Sequence, residues 1–136
     1  VLHYAGIDTN TLPLDGMNIN PVLEQDIKDI DRALFWHFPI YLQAYNVKDN
    51  ETRDPLFRTR PGSVIRKGHW KLHYYFENNG VELYNLSEDI GERNNLADKE
   101  TEKKEALLSL LENWWKKTNA PIPTQLNPEY VKNNVN

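Results

Sequence analysis

Apolar and polar residues alternate from Trp70 to Tyr74, as they do in a strand with one buried face. One side of that strand collects Trp70, Leu72, Tyr74 and Phe76, and the other side collects Lys71, His73 and Tyr75. Strand-like segments 63–66 and 81–86 flank it. They are joined to it through Lys67-Gly68-His69 and through Glu77–Gly80, which has the Asn-Gly chemistry of a hairpin turn. The pattern predicts a β-meander with one apolar face.

A helical pattern follows from about Glu102 to Lys117. Its apolar positions are Ala106, Leu107, Leu110, Leu111 and Trp114, with Leu108 and Trp115 widening the stripe. A lone helix of this length is marginal in water, so the stripe must be packed on something. Burying four of its large side chains would contribute roughly 6–12 kcal/mol before entropy costs, at ~1.5–3 kcal/mol each. We therefore expect this helix to cover the apolar face of the meander.

The remaining segments complete an α+β prediction. Ala33–Phe38 is a short aromatic-rich run ended by Pro39, which suits a buried strand, and a short helix is predicted over Pro21–Asp26. Val1–Gly6 is predicted to be a last helical turn stopped at Gly6. Residues 46–62 are predicted to be one long loop. The fold class is a small antiparallel β-sheet of about four strands with one long C-terminal helix packed across it.

Composition narrows the function classes. The 136 residues fit one domain, and 39% apolar residues argue against disorder throughout. A net charge of −4 argues against a nucleic-acid partner, since phosphate binding needs clustered Lys and Arg. The chain has no cysteine and no apolar run of the roughly 20 residues that a membrane span requires. It starts at Val1 without a signal-peptide pattern, which we interpret as a cut inside a longer protein, so compartment stays unknown.

Five stretches, in order, resemble the C-terminal region of the arylsulfatase-type sulfatases. They are Leu14–Leu23, similar to "DG-x-S-x-x-P-x-L"; Ala33–Pro39, similar to "LFWH(Y/F)P"; Ser63–Leu72, similar to "AIRKGDWKLI"; Val81–Ala97, similar to "ELYNL-x-x-D-x-x-E-x-x-NLA"; and the Trp114-Trp115 helix end with Pro121-Ile122-Pro123. The match covers about residues 12–130. It departs from the family pattern at Ile40, where many relatives have His, and at His69, which replaces a common Asp.

The resemblance implies that a larger N-terminal catalytic domain lies outside this chain. Residues 1–32 would be a lead-in from that domain, 33–120 the α+β subdomain and 121–136 an extended Pro-rich tail. The parent would hydrolyse sulfate esters of a carbohydrate, with a formylglycine made from Cys or Ser in a "(C/S)-x-P-x-R" motif beside calcium. The resemblance also implies a periplasmic or secreted parent. No serine here begins that motif, so we predict no catalytic residue and no cofactor in this chain.

Three residues are candidates for the wall of a substrate cleft: His37, Tyr41 and Arg66. His37 lies in a strand that ends near the cleft in similar sulfatases, and it could donate to a sulfate or a sugar hydroxyl. It could equally be an ordinary histidine hydrogen-bonded inside an interface, which is the interpretation we favour. His69 and His73 do not predict a metal site, because a strand separates them by roughly 13 Å.

Other groups have mainly structural interpretations. Arg66, Lys67 and Lys71 could attract an anion, but a solvated hairpin flank is the favoured interpretation. Asp89, Glu92, Arg93 and Asn94 are expected to be turn residues that satisfy local backbone donors. The aromatic residues could stack on sugars, although their spacing places most of them in the core: Trp70, Tyr74, Tyr75, Tyr84, Trp114 and Trp115.

Two further functions stay open beside the sulfatase subdomain. The first is a free-standing carbohydrate- or protein-binding module. A severed subdomain should expose a large apolar docking face, for which residues 1–45 are the expected source, whereas a module that stands alone should not. The second, an intact small enzyme, is disfavoured because these residues supply no nucleophile, base and orienting group together.

Overall fold

The computed structural model describes residues 2, 4–8, 12–14, 16–25, 32–43 and 57–125. The chain divides into two compact units, Val1–Arg32 and Ala33–Asn136. The first contains α1 (Asn20–Gln25). The second contains β1 (Ala33–Phe38), β2 (Leu42–Gln43), β3 (Phe57–Thr59), β4 (Gly62–Lys67), β5 (Trp70–Tyr75), β6 (Gly80–Asn85) and α2 (Thr101–Thr118).

Four strands form one antiparallel sheet in the order β1-β4-β5-β6. Gly68 and His69 alone connect β4 to β5, and Gly68 has φ +57°, which a tight hairpin turn requires at its first central position. The turn between β5 and β6 differs from the prediction. Asn79 takes the left-handed conformation there (φ 55°), and Gly80 already lies in β6, paired with Tyr75.

Helix α2 packs on one face of this sheet, as the apolar periodicities predicted. The buried core joins three strand residues, one loop residue and two helix residues: Ile65, Leu72, Leu83, Ala97, Leu107 and Leu111. Phe35 stacks on Trp114, with ring centroids 5.0 Å apart, which ties the edge strand β1 to the helix. The helix ends at Thr118 because Asn119 turns left-handed (φ 50°), and the Ala120 N–H returns to the Trp115 carbonyl at 3.0 Å.

The predicted loop 46–62 was wrong in part. Phe57–Thr59 forms β3, which pairs with β2 in a separate two-stranded sheet, and β4 begins at Gly62. Periodicity could not indicate a pair this short. The rest of that loop, residues 46–56, lies outside the described residues.

In residues 1–32 and 121–136, the described local structure is close to the predicted helix and turn positions. Helix α1 begins one residue before the predicted Pro21. Gly6 has φ +69°, and the Ile7 N–H donates to the Leu2 carbonyl at 3.1 Å, the six-to-one span that closes helix ends. Residues 121–125 have no regular structure, while 126–136 lie outside the described part. Among the described helices, none has the length and apolar character to cross a membrane.

Candidate functional site

The sheet face opposite α2, called the open face, is the candidate functional surface. Strand register assigns side chains to it, because residues alternate between the two faces. It comprises Leu34, Trp36 and Phe38 from β1; Gly62, Val64 and Arg66 from β4; Lys71, His73 and Tyr75 from β5; and Gly80, Glu82 and Tyr84 from β6. The face is therefore apolar at β1 and polar over β5 and β6.

The β1 side of the open face is an apolar strip of Leu34, Trp36 and Phe38. Their exposed fractions are 39%, 51% and 40%. Three further large residues extend the exposed apolar surface past the strand end: Ile40, Tyr41 and Leu42. Exposed apolar residues are ordinary when scattered, but a contiguous set on one strand marks an interaction surface.

A charged cluster occupies the β5 side of the open face. Glu92, in the loop before α2, accepts a hydrogen bond from Lys71 Nζ at 2.6 Å, and its other oxygen contacts His73 Nε2 at 2.9 Å. Burial favours a raised pKa for Glu92, but hydrogen bonds and charge from Lys71 and His73 outweigh it, so that pKa is lowered. The pKa of His73 is also lowered, mainly by burial and then by the charge of Lys71.

Neighbouring polar groups on this face also bind one another. Tyr75 and Tyr84 hydroxyls both donate to Glu82 Oε2 at 3.0 Å. The Arg60 guanidinium lies 4.2 Å from the centroid of the Tyr75 ring, and Arg60 also pairs with Glu77 at 3.4 Å. The polar side chains over β5 and β6 thus bind one another, whereas the apolar strip on β1 is exposed.

His37, the first predicted cleft residue, lies on the opposite face, beneath α2. Its Nε2 is 3.0 Å from the Pro121 carbonyl, which can only accept, so Nε2 carries the proton in the neutral ring. Nδ1 is then an acceptor and lies 2.7 Å from Ser63 Oγ, while Trp115 Nε1–H donates to the same hydroxyl at 2.9 Å. We call this ordered chain from Trp115 through Ser63 and His37 to Pro121 the tail relay.

The Ser63–His37 pair has the contact of a nucleophile and base, but its surroundings differ from those of a hydrolase. Ser63 is 1% exposed, and its hydroxyl is already engaged by Trp115. The other nitrogen of His37 meets a main-chain carbonyl where a catalytic triad has a carboxylate. The pair therefore fixes the tail to the sheet and helix.

The structure does not bring the three predicted cleft residues together. Arg66 lies on the open face opposite Leu34, near the β4–β5 turn, and its Nε donates to the Gly68 carbonyl at 3.3 Å. Tyr41 follows β1 and donates its hydroxyl to Glu77, beyond the far end of β5. Arg66 and Tyr41 thus lie toward opposite ends of the sheet, and His37 lies on its other face. Their role at a substrate cleft stays a prediction.

The loop before α2 corrects one interpretation and confirms another. Asp89 Oδ2 accepts from the Arg93 and Asn94 main-chain N–H groups, each at 2.7 Å, which is the predicted turn chemistry. Glu92, in contrast, was expected to satisfy local backbone donors and instead binds Lys71 and His73 of the sheet. Glu92 has φ 53°, a left-handed conformation that its residue type rarely adopts.

Sequence reasoning missed Trp36, Glu92 and the tail relay as features of the surface and core. Trp36 was detectable, since strand alternation with half-buried Phe35 places it on the open face. Glu92 was not, because it lies 19 and 21 residues from its partners. The expected aromatic core is confirmed for Trp70, Tyr74, Trp114 and Trp115, which pack against the core, and for Tyr84, which is itself buried. Tyr75 instead stacks beneath Arg60.

The resemblance implies two groups for a sulfatase, a formylglycine that the sequence does not fit and a calcium ion that the described residues do not fit. A formylglycine needs a Cys or Ser at the head of "(C/S)-x-P-x-R", and this chain has no cysteine and no serine in that setting. A calcium ion needs several carboxylate or carbonyl ligands. The described ranges hold no group of three or more His, Cys, Asp or Glu residues that could bind a metal ion.

Comparisons with known proteins show which proteins the chain is similar to. A "Sulfatase" of Formosa agariphila is 36% identical over 120 residues, which is 79% of this chain and 19% of that protein. A "Delta 4,5-hexuronate-2-O-sulfatase" of Bacteroides thetaiotaomicron is 49% identical over 39 residues, 29% of this chain and 8% of that protein. A protein solved with its substrate D-glucosamine-2-N,6-O-disulfate superposes with TM-score 0.60 at 24% identity, covering 91% of this chain and 24% of its own.

No protein-family model matches the chain. In sequence and in fold, the chain nevertheless belongs to the sulfatases. Within that family it matches the C-terminal subdomain, with its four-stranded antiparallel sheet and long final helix. It spans about a fifth of the Formosa protein and about a quarter of the solved chain.

Proposed function

We propose that this chain is the non-catalytic C-terminal subdomain of a sulfatase, which stabilises the catalytic domain and helps to wall the substrate cleft. The observation that carries the proposal is the apolar strip of Leu34, Trp36 and Phe38. Covering three such side chains more fully would contribute at most several kcal/mol, at ~1.5–3 kcal/mol for each complete burial. The relatives are four to five times longer than the matched segment, so they contain a region that could provide this cover.

The parent reaction would be the hydrolysis of a sulfate ester on a carbohydrate. The names of the hexuronate-2-O-sulfatase and of the disulfated glucosamine substrate support this substrate class. Calcium and formylglycine would both lie in the catalytic domain, because no serine of this chain begins the formylglycine motif and the residues that the structure describes hold no group that could bind a metal ion. Arg66 is the candidate cleft residue that lies exposed on the open face, and a guanidinium suits a sulfate group.

A carbohydrate-binding module is the second candidate, and the exposed indole of Trp36 is the observation that favours it. An exposed tryptophan on a sheet face can stack on a sugar ring. The two candidates differ in what covers Trp36: a domain of the same polypeptide in the first, and a saccharide in the second. Titration of the isolated chain with a sulfated oligosaccharide, followed by tryptophan fluorescence, tests the module.

The docking proposal is tested by producing this chain and the upstream catalytic region as separate polypeptides. We expect the two to co-purify, and we expect the chain alone to hydrolyse no aryl sulfate. Trp36→Asp should weaken the association at least roughly tenfold, because it places a charge in an apolar interface. Leu110→Asp is the matched control, since Leu110 is 38% exposed but lies on α2, across the sheet from the strip.

Three outcomes would contradict the proposal. Turnover by the isolated chain would show that it is catalytic. Equal weakening by Leu110→Asp and Trp36→Asp would show that the strip is not the docking surface. An upstream reading frame without the formylglycine motif and acidic metal ligands would remove the sulfatase parent itself.

A further inference from the structure

The free edge of β1 is the sheet edge that the described residues leave open. In an antiparallel pair, alternate residues direct their main-chain N–H and C=O groups to the same neighbour. The Phe76 N–H donates to the Pro61 carbonyl at 3.0 Å, which fixes this alternation along β4 and β5. Every second residue from Pro61 onward therefore points its main chain to β5, and the residues between point to β1.

The β4 residues that point to β1 are Gly62, Val64 and Arg66. Their partners are Phe38, Trp36 and Leu34, so these three β1 residues use their main-chain groups within the sheet. The intervening β1 residues Ala33, Phe35 and His37 direct their N–H and C=O groups away from β4. Those groups form a ladder of strand donors and acceptors for which the described residues provide no partner.

The opposite edge of the sheet is closed within the chain. On β6, the Leu83 N–H donates to Asn95 Oδ1 at 3.0 Å, and the Leu83 carbonyl accepts from the Leu96 N–H at 2.8 Å. The Asn85 carbonyl accepts from the Glu88 and Asp89 N–H groups. The described residues thus cap the β6 edge with a loop of the same chain and provide no such cap on the β1 edge.

Strand β1 also lacks the features by which exposed edges usually resist pairing. Its sequence, Ala33–Phe38, contains no Lys, Glu, Pro or Gly, and it shows no register irregularity with β4. Its open-face side chains are the apolar strip. A strand added at this edge would form main-chain hydrogen bonds and at the same time place apolar side chains beside Leu34, Trp36 and Phe38.

We propose that an uncharged strand from the catalytic region of the parent sulfatase pairs with the free edge of β1 and extends the sheet. This inference rests on the proposed docking function and adds the mode of docking. The catalytic region is the chosen partner because the matched relatives contain about four fifths of their length outside the segment that this chain covers. The partner segment would be extended, apolar on one side and free of proline at its paired positions.

Amide hydrogen exchange tests the inference with a control inside β1 itself. Exchange is measured for the isolated chain, at concentrations where sedimentation shows a monomer, and for the complete sulfatase polypeptide. The Leu34 and Trp36 amides should be protected in both, because they bond to β4. The Phe35 and His37 amides should exchange roughly 100-fold or more slowly only in the complete polypeptide.

A pair of proline variants gives an independent readout. Ala33→Pro removes one edge N–H at the first strand position, where proline is tolerated, so the isolated chain should keep its unfolding midpoint. Its association with the separately produced catalytic region should weaken roughly fivefold, the loss expected for one hydrogen bond. Leu34→Pro removes an N–H that bonds to β4, so it should destabilise the isolated chain.

The outcomes separate this inference from the docking proposal. Unprotected Phe35 and His37 amides in a complete polypeptide whose Trp36 indole is buried would overturn strand addition and leave docking intact. Protection of both amides in the monomeric isolated chain would show that the chain covers its own edge, and protection that appears only at high concentration would indicate a second copy; either overturns the inference. An exposed Trp36 in the complete polypeptide would overturn both.

Discussion

His37 has the sequence context of a substrate-binding residue, but in the fold its side chain holds structural hydrogen bonds. Both ring nitrogens are engaged in the tail relay, which joins β1, β4, α2 and the tail. His37→Ala would leave the nearly inaccessible Ser63 hydroxyl without its acceptor and the Pro121 carbonyl without its donor. We expect the free energy of unfolding to fall by about 1–3 kcal/mol.

The test at this site is a double-mutant cycle in urea denaturation. His37→Ala and Ser63→Ala should show a coupling free energy of at least about 0.5 kcal/mol, because they share one hydrogen bond. Ser109→Ala, on the exposed side of α2, is the control and should change stability by less than about 0.5 kcal/mol. Additive effects of the two relay variants would contradict the relay.

His73 makes the free energy of unfolding depend on pH. Its pKa is lowered from the ordinary value of 6.5 because burial and Lys71 disfavour the charged ring, against the opposing effects of Glu92 and Glu82. The unfolded chain therefore takes up this proton at a higher pH than the folded chain. The stability contributed by His73 is present above about pH 6.5 and is lost as the pH falls toward the lowered pKa.

Urea unfolding between pH 5 and pH 7.5 checks this sign. The wild-type chain should lose stability on acidification, and His73→Gln should remove that part of the slope while keeping a donor for Glu92. Ser109→Ala, an exposed and non-titrating position on α2, serves as the control and should retain the slope. Glu92 adds a loss in the same direction at lower pH, because the pKa of its carboxyl is lowered as well. A steeper acid loss in His73→Gln would be the contrary result.

At the scale of elements, the closure of α2 on the sheet dominates stability. Leu107 and Leu111 are the buried residues of the helix, and they meet Ile65, Leu72 and Leu83 in one cluster. Leu111→Ala should therefore lower the free energy of unfolding by about 2–5 kcal/mol, through lost burial and a cavity. Leu110→Ala, one residue earlier and on the exposed side, should cost less than about 1 kcal/mol. Equal effects in chemical denaturation would mean that the helix does not pack as described.

The elements that sequence could predict are those whose periodicity spans several residues. The alternation over residues 70–76 and the stripe of α2 each repeat often enough to fix type and face, so the sheet–helix core was predicted. Two-residue β2 and three-residue β3 are too short for the two-residue alternation of a strand to be recognised. Contacts such as Glu92 with Lys71, or Ser63 with Trp115, join residues far apart in sequence, and only the register of the sheet brings them together. The apolar strip is predictable only in part. Alternation along β1 places its three side chains on one face, but only the strand order shows that β1 is an edge strand.

At the scale of the whole molecule, nearly all of the buried core belongs to the second unit. Among the described residues, the buried hydrophobic core lies between Ile65 and Leu111, whereas Asn20 is the buried residue described in the first unit. The His37 relay and the Lys71–Glu92–His73 cluster also lie within Ala33–Asn136. The second unit thus contains its own core and its own polar networks, which are the requirements for folding independently.

We therefore expect a variant that lacks residues 1–32 to fold. Its thermal unfolding should stay cooperative, with a midpoint within a few degrees of that of the 136-residue chain, since a change of about 1 kcal/mol moves the midpoint of a domain of this size by roughly 4–8 °C. Circular dichroism gives the midpoint, and Trp114 and Trp115 fluorescence reports whether the helix still covers the sheet. The complementary truncation after Leu96 is the control: it removes α2, exposes Ile65, Leu72 and Leu83, and should unfold the chain. If instead the variant lacking residues 1–32 unfolds while its sheet and helix sequences are intact, the lead-in contributes stability that the core of the second unit does not account for.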